Sequence, residues 1–146
     1  MKRSAVFLQC LAALLCVLTA ARYMTTSEFM PYHATVSGQS WQVLQPGLQV
    51  IILGMLRIVA AGFLGCGIAL ATLAWGVHLG HSWASWAALA VGIAVWVPTL
   101  LVTLMLKAAQ PAAEPPTLPT IAMLAVIIAA SLLGALRPRA AAVVEA

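Results

Sequence analysis

Four long apolar runs, almost free of charged side chains, limit what this chain can fold into. They cover residues 4–21, 48–75, 83–106 and 119–136. A helix needs about 20 mainly apolar residues to cross a bilayer, because no backbone group in the hydrocarbon can bond to water. The sequence therefore predicts an all-α fold, in which residues 1–146 form a single membrane domain built as a bundle of four membrane-spanning helices.

Charged side chains are too few for a soluble protein. Asp, Glu, Lys and Arg make up 7% of the chain, whereas a typical soluble domain carries about 25%. The net charge of +4 would suggest nucleic-acid binding if the basic residues formed one patch, but they are spread along the chain. We therefore expect the lipid bilayer as the partner, and we expect no nucleic acid.

The basic residues outside the spans predict the orientation of the chain. Four of them lie on the side of the termini: Lys2, Arg3, Arg137 and Arg139. Two others, Arg22 and Lys107, lie on the opposite side. Because short segments rich in Lys and Arg stay in the cytoplasm, we expect both termini to be cytoplasmic. Segment 22–47 and the proline-rich linker 107–118 are then outer loops, and a bacterial inner membrane is the expected location.

The first apolar run also fits a secretory signal peptide. Lys2 and Arg3 precede it, and the small residues within 19–21 offer a cleavage site. We favour a retained span, because small or polar residues follow one helical face, which a cleaved signal does not need. These residues are Gln9, Ala13, Cys16 and Ala20.

Small residues predict where the helices pack, because helices in lipid associate where their backbones can approach closely. In the second span one narrow sector carries Gly54, Ile58, Ala61, Gly65, Ala69, Thr72 and Gly76. In the third span a similar sector carries Ser85, Ala88, Gly92, Trp96, Thr99 and Thr103. Ser131 and Gly134 have this role in the fourth span. We expect these sectors to face the inside of the bundle, and Pro98 to bend the third helix.

Arg57 is the sharpest candidate for a functional residue, because an ionised side chain inside a span is costly. It lies beside the small-residue sector and should face protein. One interpretation pairs it with Glu28, the acidic residue of the first outer loop. The other places Arg57 close to the outer interface, where its guanidinium can reach water. Both interpretations stay open at this point.

The first outer loop mixes aromatic and polar residues. Its Thr25-x-x-Glu28 pattern resembles a helix capping box, and Pro31 limits any helix there to about one turn unless the helix begins after it. Such a segment can lie on the membrane surface as a lid. Its polar groups could bind a headgroup or an isoprenoid-type ligand, although the spacing does not demand this.

Two histidines, His78 and His81, lie three residues apart in the turn between the second and third spans. They are weak candidates for metal ligands, because no Asp, Glu or Cys lies near them in sequence on that side. We expect them to be solvated side chains at the membrane interface. The sequence predicts no metal and no cofactor.

No catalytic constellation is found, so the chain is not expected to be an enzyme. The spans hold no acidic residue for proton-coupled transport, and the chain contains no aspartate. Cys10, Cys16 and Cys66 lie within apolar runs and form no Cys-x-x-Cys spacing. We expect them to be structural residues, without a pair for the chemistry of disulfide-forming quinone enzymes.

Three segments provide a likeness to a known group. They are the glycine-rich run 57–67, the Trp-Val-Pro-Thr segment 96–99 and the Pro115-Pro116 pair before the last span. By these segments and its layout the chain resembles small bacterial four-helix membrane proteins of the DoxX-like kind. The resemblance implies a four-helix membrane fold. It leaves the function open, since that group includes members associated with sulfur-compound oxidation and with quinone reduction, and it assigns no site residues.

The sequence favours a non-catalytic accessory or assembly component of the membrane, acting as a homo-oligomer or beside a larger partner in a membrane complex. Two alternatives stay open. One is a carrier for a small apolar or anionic solute, with Arg57 facing the anion and Pro98 as a flexing point. The other is a quinone-linked redox accessory subunit.

Overall fold

The chain is helical throughout the part that the structure describes. The computed structural model describes residues 2–136. The elements are α1 (Lys2–Thr25), α2 (Pro31–Ser37), a 3₁₀ turn (Trp41–Val43), α3 (Pro46–Leu79), α4 (Ser82–Ala109) and α5 (Thr117–Ala135). Residues 2–136 contain no β-strand, so the prediction of an all-α fold is confirmed for them. Arg137 and Arg139, which the orientation prediction uses, lie outside the described residues.

Four of the helices, α1, α3, α4 and α5, are long and apolar enough to cross a membrane. They contain the four predicted spans, except that α5 ends one residue before the predicted end. The helices are longer than the predicted spans, and the longest of them is α3, with 34 residues. It begins at Pro46, whose missing N–H costs nothing in a first turn. It ends before Gly80, whose φ of 105° favours glycine.

The four long helices form a closed ring. α1 packs on α3, α3 on α4, α4 on α5, and α5 on α1, and the contact between α1 and α3 is the most extensive. Neighbours in this ring run antiparallel. The last turns of α1 and α4 therefore lie at the same end of the bundle as the first turns of α3 and α5, together with α2 and the linker before α5.

Three of the predicted packing faces are confirmed. The buried residues of α1 include Gln9, Ala13, Cys16 and Ala20. Those of α4 include Ser85, Ala88, Gly92, Trp96 and Thr103. Those of α5 include Ser131 and Gly134. Gly92 shows why a small residue is needed, because a Cβ atom there would lie only 2.5 Å from Cγ2 of Ile127.

The predicted packing face of α3 is wrong. Gly54, Ala61 and Gly65 are exposed, and Ala69 is only half-buried. A Cβ atom added at Gly54 or Gly65 would meet nothing within 4 Å. The buried face lies on nearly the opposite side and consists of Leu56, Ala60, Phe63, Cys66, Gly67, Leu70, Ala74 and Val77. The physical reason is that the large side chains of this face fill the centre of the ring, and a single glycine, Gly67, gives the close approach to α1.

Pro98 also lies away from the interior. Its side chain is exposed, and α4 continues through it to Ala109. The proline leaves the carbonyl of Ala94 without its helical donor. The neighbouring hydroxyl of Thr99 donates to the carbonyl of Val95 at 2.7 Å. The assignment of Pro98 to helix packing is therefore wrong, because its ring faces the outside of the bundle.

Candidate functional site

A cavity of about 660 Å³ lies at the end of the bundle where α1 and α4 finish and α5 begins. Its walls come from the last turns of α1, from α2, from the second half of α4, and from the linker and first turn of α5. Phe63 closes it from the side of α3. The cavity forms because the short α2 and the proline-containing linker bridge the ends of the long helices without filling the space between them.

One wall of the cavity is a row of four aromatic side chains, which we call the aromatic row: Tyr32, Tyr23, Phe63 and Trp96. The hydroxyls of Tyr32 on α2 and Tyr23 on α1 are hydrogen-bonded at 3.0 Å. The Tyr23 ring stacks on Phe63 with centroids 6.1 Å apart, and Phe63 contacts Trp96 at 5.1 Å. The row therefore runs from the surface segment into the core, and it gives the cavity an aromatic lining that suits an apolar molecule.

Polar groups also line the cavity. Thr99 and Thr120 line it, and each donates its hydroxyl proton to a backbone carbonyl four residues earlier. Their oxygen atoms therefore remain available as hydrogen-bond acceptors. Arg22 and Glu114 are exposed residues that also line the cavity. The interior is thus mainly apolar, while the rim carries one charge of each sign.

The segment before and within α2 covers part of the cavity. Met30 is buried, and the side chains of Tyr32 and Thr35 line the cavity from above. The backbone N–H of Met30 donates to Nδ1 of His33 at 3.2 Å. Burial lowers the pKa of His33 and raises the pKa of Tyr32 above its usual range. Both groups are therefore held in their neutral forms, which suits a cover over an apolar space.

The capping box expected at Thr25 and Glu28 is not formed. Thr25 is the last residue of α1, and its hydroxyl donates to the carbonyl of Ala21 at 2.9 Å. The next helix begins instead at Pro31. Proline is well suited to a first helical turn, where no N–H is needed. The helix in this loop therefore begins at Pro31 itself and runs for seven residues, longer than the single turn expected for a helix that includes the proline.

Arg57 binds the end of α1. Its Nη1 donates to the carbonyl of Tyr23 at 2.7 Å, and its Nη2 donates to the carbonyl of Thr26 at 2.9 Å. The last carbonyls of a helix have no partner within the helix and carry partial negative charge, so a cation there is favourable. The expectation that Arg57 faces protein agrees with these contacts. Its guanidinium contacts these backbone carbonyls instead of Glu28, and among residues 2–136 it does not line the cavity.

His78 and His81 contact tryptophans. The ring of His78 stacks on Trp75 with centroids 5.4 Å apart, and the ring of His81 stacks on Trp83 at 6.3 Å. Both histidines are exposed. Within the described part of the chain, no group of three or more His, Cys, Asp or Glu side chains could hold a metal ion.

Two cysteines come together in the core, which the sequence did not predict. Sγ of Cys16 on α1 lies 3.8 Å from Sγ of Cys66 on α3. Both side chains are buried, while Cys10 is exposed. A Cβ atom at Gly67, next to Cys66, would lie 3.2 Å from Cβ of Cys16, so the two helices approach closely at this level. The expectation that the chain has no cysteine pair is wrong, because residues distant in sequence become neighbours where α1 crosses α3.

Most of the cavity residues were not recognised from the sequence. Trp96 was assigned to a packing face, and Tyr23, Tyr32 and Phe63 were not singled out as site residues. No signal in one sequence links them, because they belong to α1, α2, α3 and α4. Comparisons of the chain with protein-family models, with curated proteins and with solved structures find no match.

Proposed function

We propose that this chain is a multi-pass membrane protein that binds a small, mainly apolar molecule with one polar end, and that it acts as a non-catalytic component of the membrane. The observation that supports this proposal most directly is the cavity with the aromatic row along one wall. A volume of about 660 Å³ falls within the range of small-molecule sites in proteins, about 300–1,000 Å³. The row offers contact to the apolar part of such a molecule.

The rim of the cavity suits the polar end of the ligand. Arg22 and Glu114 lie there on different elements, and they can bind a headgroup of either charge or a neutral polar group. The neutral His33 and Tyr32 behind them keep the cover of the cavity free of charge. An amphipathic ligand from the bilayer, such as a lipid or an isoprenoid, fits this division into apolar interior and polar rim.

The orientation follows from the basic residues. We propose a bacterial inner membrane with both termini in the cytoplasm, because the residues near the termini carry most of the positive charge outside the spans. The end of the bundle that holds the cavity then faces the outer side of the membrane. The likeness to DoxX-like proteins stays a prediction, as does association with a second copy or with a larger membrane partner.

The alternative in which the chain carries an anionic solute has less support than the binding role. Arg57 was the group expected to face the anion, but both of its terminal nitrogens donate to backbone carbonyls at the end of α1. It therefore positions the wall of the cavity that contains Tyr23. Binding of a ligand in the cavity does not require that the ligand be moved across the membrane, and we prefer the simpler role.

The proposal is tested with a photoreactive probe, a benzophenone joined to a decanol chain. The full-length protein is placed in lipid nanodiscs, irradiated with the probe and analysed by peptide mass spectrometry. We expect cross-links at residues of α1 near Tyr23 and of α5 near Thr120. The variant Ala112→Trp should strongly reduce these cross-links, because residue 112 lines the cavity. The matched variant Ala108→Trp, at another exposed alanine, should not. Labelling spread evenly over the outer faces of all helices would overturn the proposal.

A further inference from the structure

We propose that the polar end of the ligand is a zwitterionic headgroup with a phosphate and a primary ammonium group, as in an ethanolamine phospholipid. The phosphate lies beside Arg22, Tyr23 and Tyr32, and the ammonium group lies beside Glu114. The inference rests on the proposed function, because an acyl chain of this lipid would occupy the same cavity. It adds the chemical class of the ligand, which the apolar interior alone does not specify.

The helices α1 and α2 offer hydrogen-bond donors to the cavity. Arg22, in the last turn of α1, lines the cavity with the N–H groups of its guanidinium. The hydroxyls of Tyr23 and Tyr32 share one hydrogen bond, and either of them can be its donor. One proton of the pair therefore stays available to a ligand, since residues 2–136 supply no other partner for it. Trp96 also lines the cavity, but its indole N–H is inaccessible.

The guanidinium of Arg22 lies close to the tyrosine hydroxyls. Burial and the bond to Tyr23 raise the pKa of Tyr32, and the positive charge of Arg22 opposes this rise. Arg57, which donates to the carbonyl of Tyr23, adds positive charge at the same end of α1. An anionic oxygen accepts strong hydrogen bonds from such groups, and a phosphate can accept from more than one of them at once.

The helices α4 and α5 and the linker between them offer acceptors. Glu114 in the linker lines the cavity and carries a negative charge. The hydroxyls of Thr99 and Thr120 donate their own protons to the backbone, so their oxygens can only accept. The hydroxyls of Thr19 and Thr35, on α1 and α2, also donate to backbone carbonyls and add no donor. Arg22 and the tyrosine pair are therefore the accessible donors of the cavity.

The two charges of the cavity lie apart, on different elements. Arg22 and Glu114 form no ion pair with each other, and both side chains are exposed. A ligand that carries both signs can satisfy both residues, whereas a purely anionic headgroup leaves Glu114 without a partner. A primary ammonium group donates hydrogen bonds to carboxylate and hydroxyl oxygens. The trimethylated ammonium of choline has no N–H and cannot do so.

The order of the charges along the bundle also fits this headgroup. Arg22 belongs to a long helix, whereas Glu114 lies in the linker, before α5 begins at Thr117. In an ethanolamine phospholipid the phosphate is attached to the glycerol, close to the acyl chains, and the ammonium group is at the far end. The phosphate therefore reaches the helix residue while the ammonium group reaches the linker.

The test uses the full-length protein in nanodiscs of phosphatidylcholine, with three photoreactive lysophospholipids as probes. They carry the same diazirine-labelled acyl chain and differ in the headgroup, which is phosphoethanolamine, phosphocholine or phosphoglycerol. Cross-links are quantified by peptide mass spectrometry. We expect the ethanolamine probe to label α1 near Tyr23 and α5 near Thr120 about tenfold more than either other probe, the effect of one hydrogen bond to a charged group.

Charge-removing variants connect the preference to the two residues. Glu114→Gln should abolish the preference for ethanolamine over choline, while labelling by the choline probe persists and shows that the cavity is intact. Glu28→Gln, at an exposed acidic residue that does not line the cavity, should retain the preference. Arg22→Gln should weaken labelling by all three probes, since each carries a phosphate. Arg3→Gln, at the other end of α1, should not.

The outcomes separate this inference from the proposed function. Equal labelling of the cavity by the three probes would overturn the inference, and so would a preference for ethanolamine that survives Glu114→Gln. In either case the proposed function stands if the benzophenone probe labels the cavity. If the benzophenone probe does not label it, the proposed function fails, and the inference fails with it.

A soluble competitor identifies the source of the headgroup. Glycerophosphoethanolamine has the same headgroup without acyl chains, so it should not displace the ethanolamine probe at an equal concentration. Displacement by it would show that the ligand is a soluble phosphoethanolamine compound, and the assignment to a phospholipid would be wrong.

Discussion

The guanidinium of Arg57, about three turns after the start of α3, is hydrogen-bonded to the carbonyl oxygen of Tyr23 near the end of α1, with Nη1 at 2.7 Å. This contact joins two helices at the level where the cavity opens. Tyr23 also stacks on Phe63 and is hydrogen-bonded to Tyr32. Arg57, a charged residue inside a predicted span, therefore helps to position the aromatic row.

Removal of this charge should loosen the end of α1. Arg57→Ala loses two hydrogen bonds to carbonyls, and we expect destabilisation of about 2 kcal/mol and weaker labelling of the cavity. The exposed neighbour substitution Ile58→Ala should have little effect on stability. Thermal unfolding in detergent measures both. An unchanged melting temperature for Arg57→Ala would contradict this prediction. It would show that the guanidinium is hydrated at the membrane interface and that its contacts with α1 do not stabilise the fold.

The glycines of α3 provide a second prediction, since they differ sharply in their surroundings. Gly67→Ala should destabilise the protein by about 1–3 kcal/mol, because the added methyl group meets Val17, Cys16 and the carbonyl of Ala13. Gly65→Ala should be neutral or stabilising by up to about 1 kcal/mol, because alanine favours helix and the site is open.

Unfolding of the two variants in the same detergent gives the comparison. Equal losses for Gly65→Ala and Gly67→Ala would mean that the packing face of α3 is not the one described. A loss for Gly65→Ala alone would support the face expected from the small-residue pattern, and would indicate that a further chain covers it.

The pH dependence of α2 follows from His33. Burial lowers the pKa of His33 from its ordinary value of 6.5. The imidazole therefore binds a proton more readily when α2 is unfolded than when it is folded. The neutral imidazole therefore stabilises folded α2 fully at pH values above 6.5, and this stabilisation is lost as the pH falls below that value. Protonation also removes Nδ1 as the acceptor for the N–H of Met30.

Hydrogen exchange of residues 30–37, corrected for its intrinsic pH dependence, should therefore show less protection at about pH 5.5 than at about pH 7.5. His33→Asn keeps an acceptor but does not titrate, and it should remove the difference. If protection increases on acidification, the neutral imidazole is not what supports α2.

The orientation can be tested by cysteine labelling of a variant in which the native cysteines are replaced. A single cysteine at Ala112 should react with a membrane-impermeant maleimide added to intact cells. A single cysteine at His78, which is exposed near the end of α3, should react only after permeabilisation. The opposite pattern would place both termini outside the cytoplasm.

Some of this structure could be predicted because the bilayer imposes it. The length and low charge of the apolar runs were enough to locate α1, α3, α4 and α5, since lipid leaves a chain few other ways to satisfy its backbone. The inward face of α1 was also predictable, because Gln9 and Cys16 mark it among larger apolar residues.

The face of α3 could not be predicted in the same way. A helix surrounded by lipid is apolar on every side, so its hydrophobic pattern does not distinguish the interior from the exterior. The partners of Arg57 were hidden for a different reason, because they are backbone carbonyls, which every residue carries. The contact between Cys16 and Cys66 depends on where two helices cross, and a single sequence holds no record of that crossing.

Two segments lie over the cavity, α2 and the linker between α4 and α5, and they differ in how firmly they are attached to the long helices. Nζ of Lys107 donates to the carbonyls of Pro111 and Ala113 at 2.8 and 3.0 Å, and so anchors the linker to α4. Among the residues that the structure describes, the hydrogen bond that joins α2 to α1 is the one between the hydroxyls of Tyr32 and Tyr23. If a ligand enters the cavity as we propose, we expect it to displace α2 at a lower energetic cost than the linker, because a neutral hydroxyl pair holds α2 whereas two bonds from an ammonium group hold the linker.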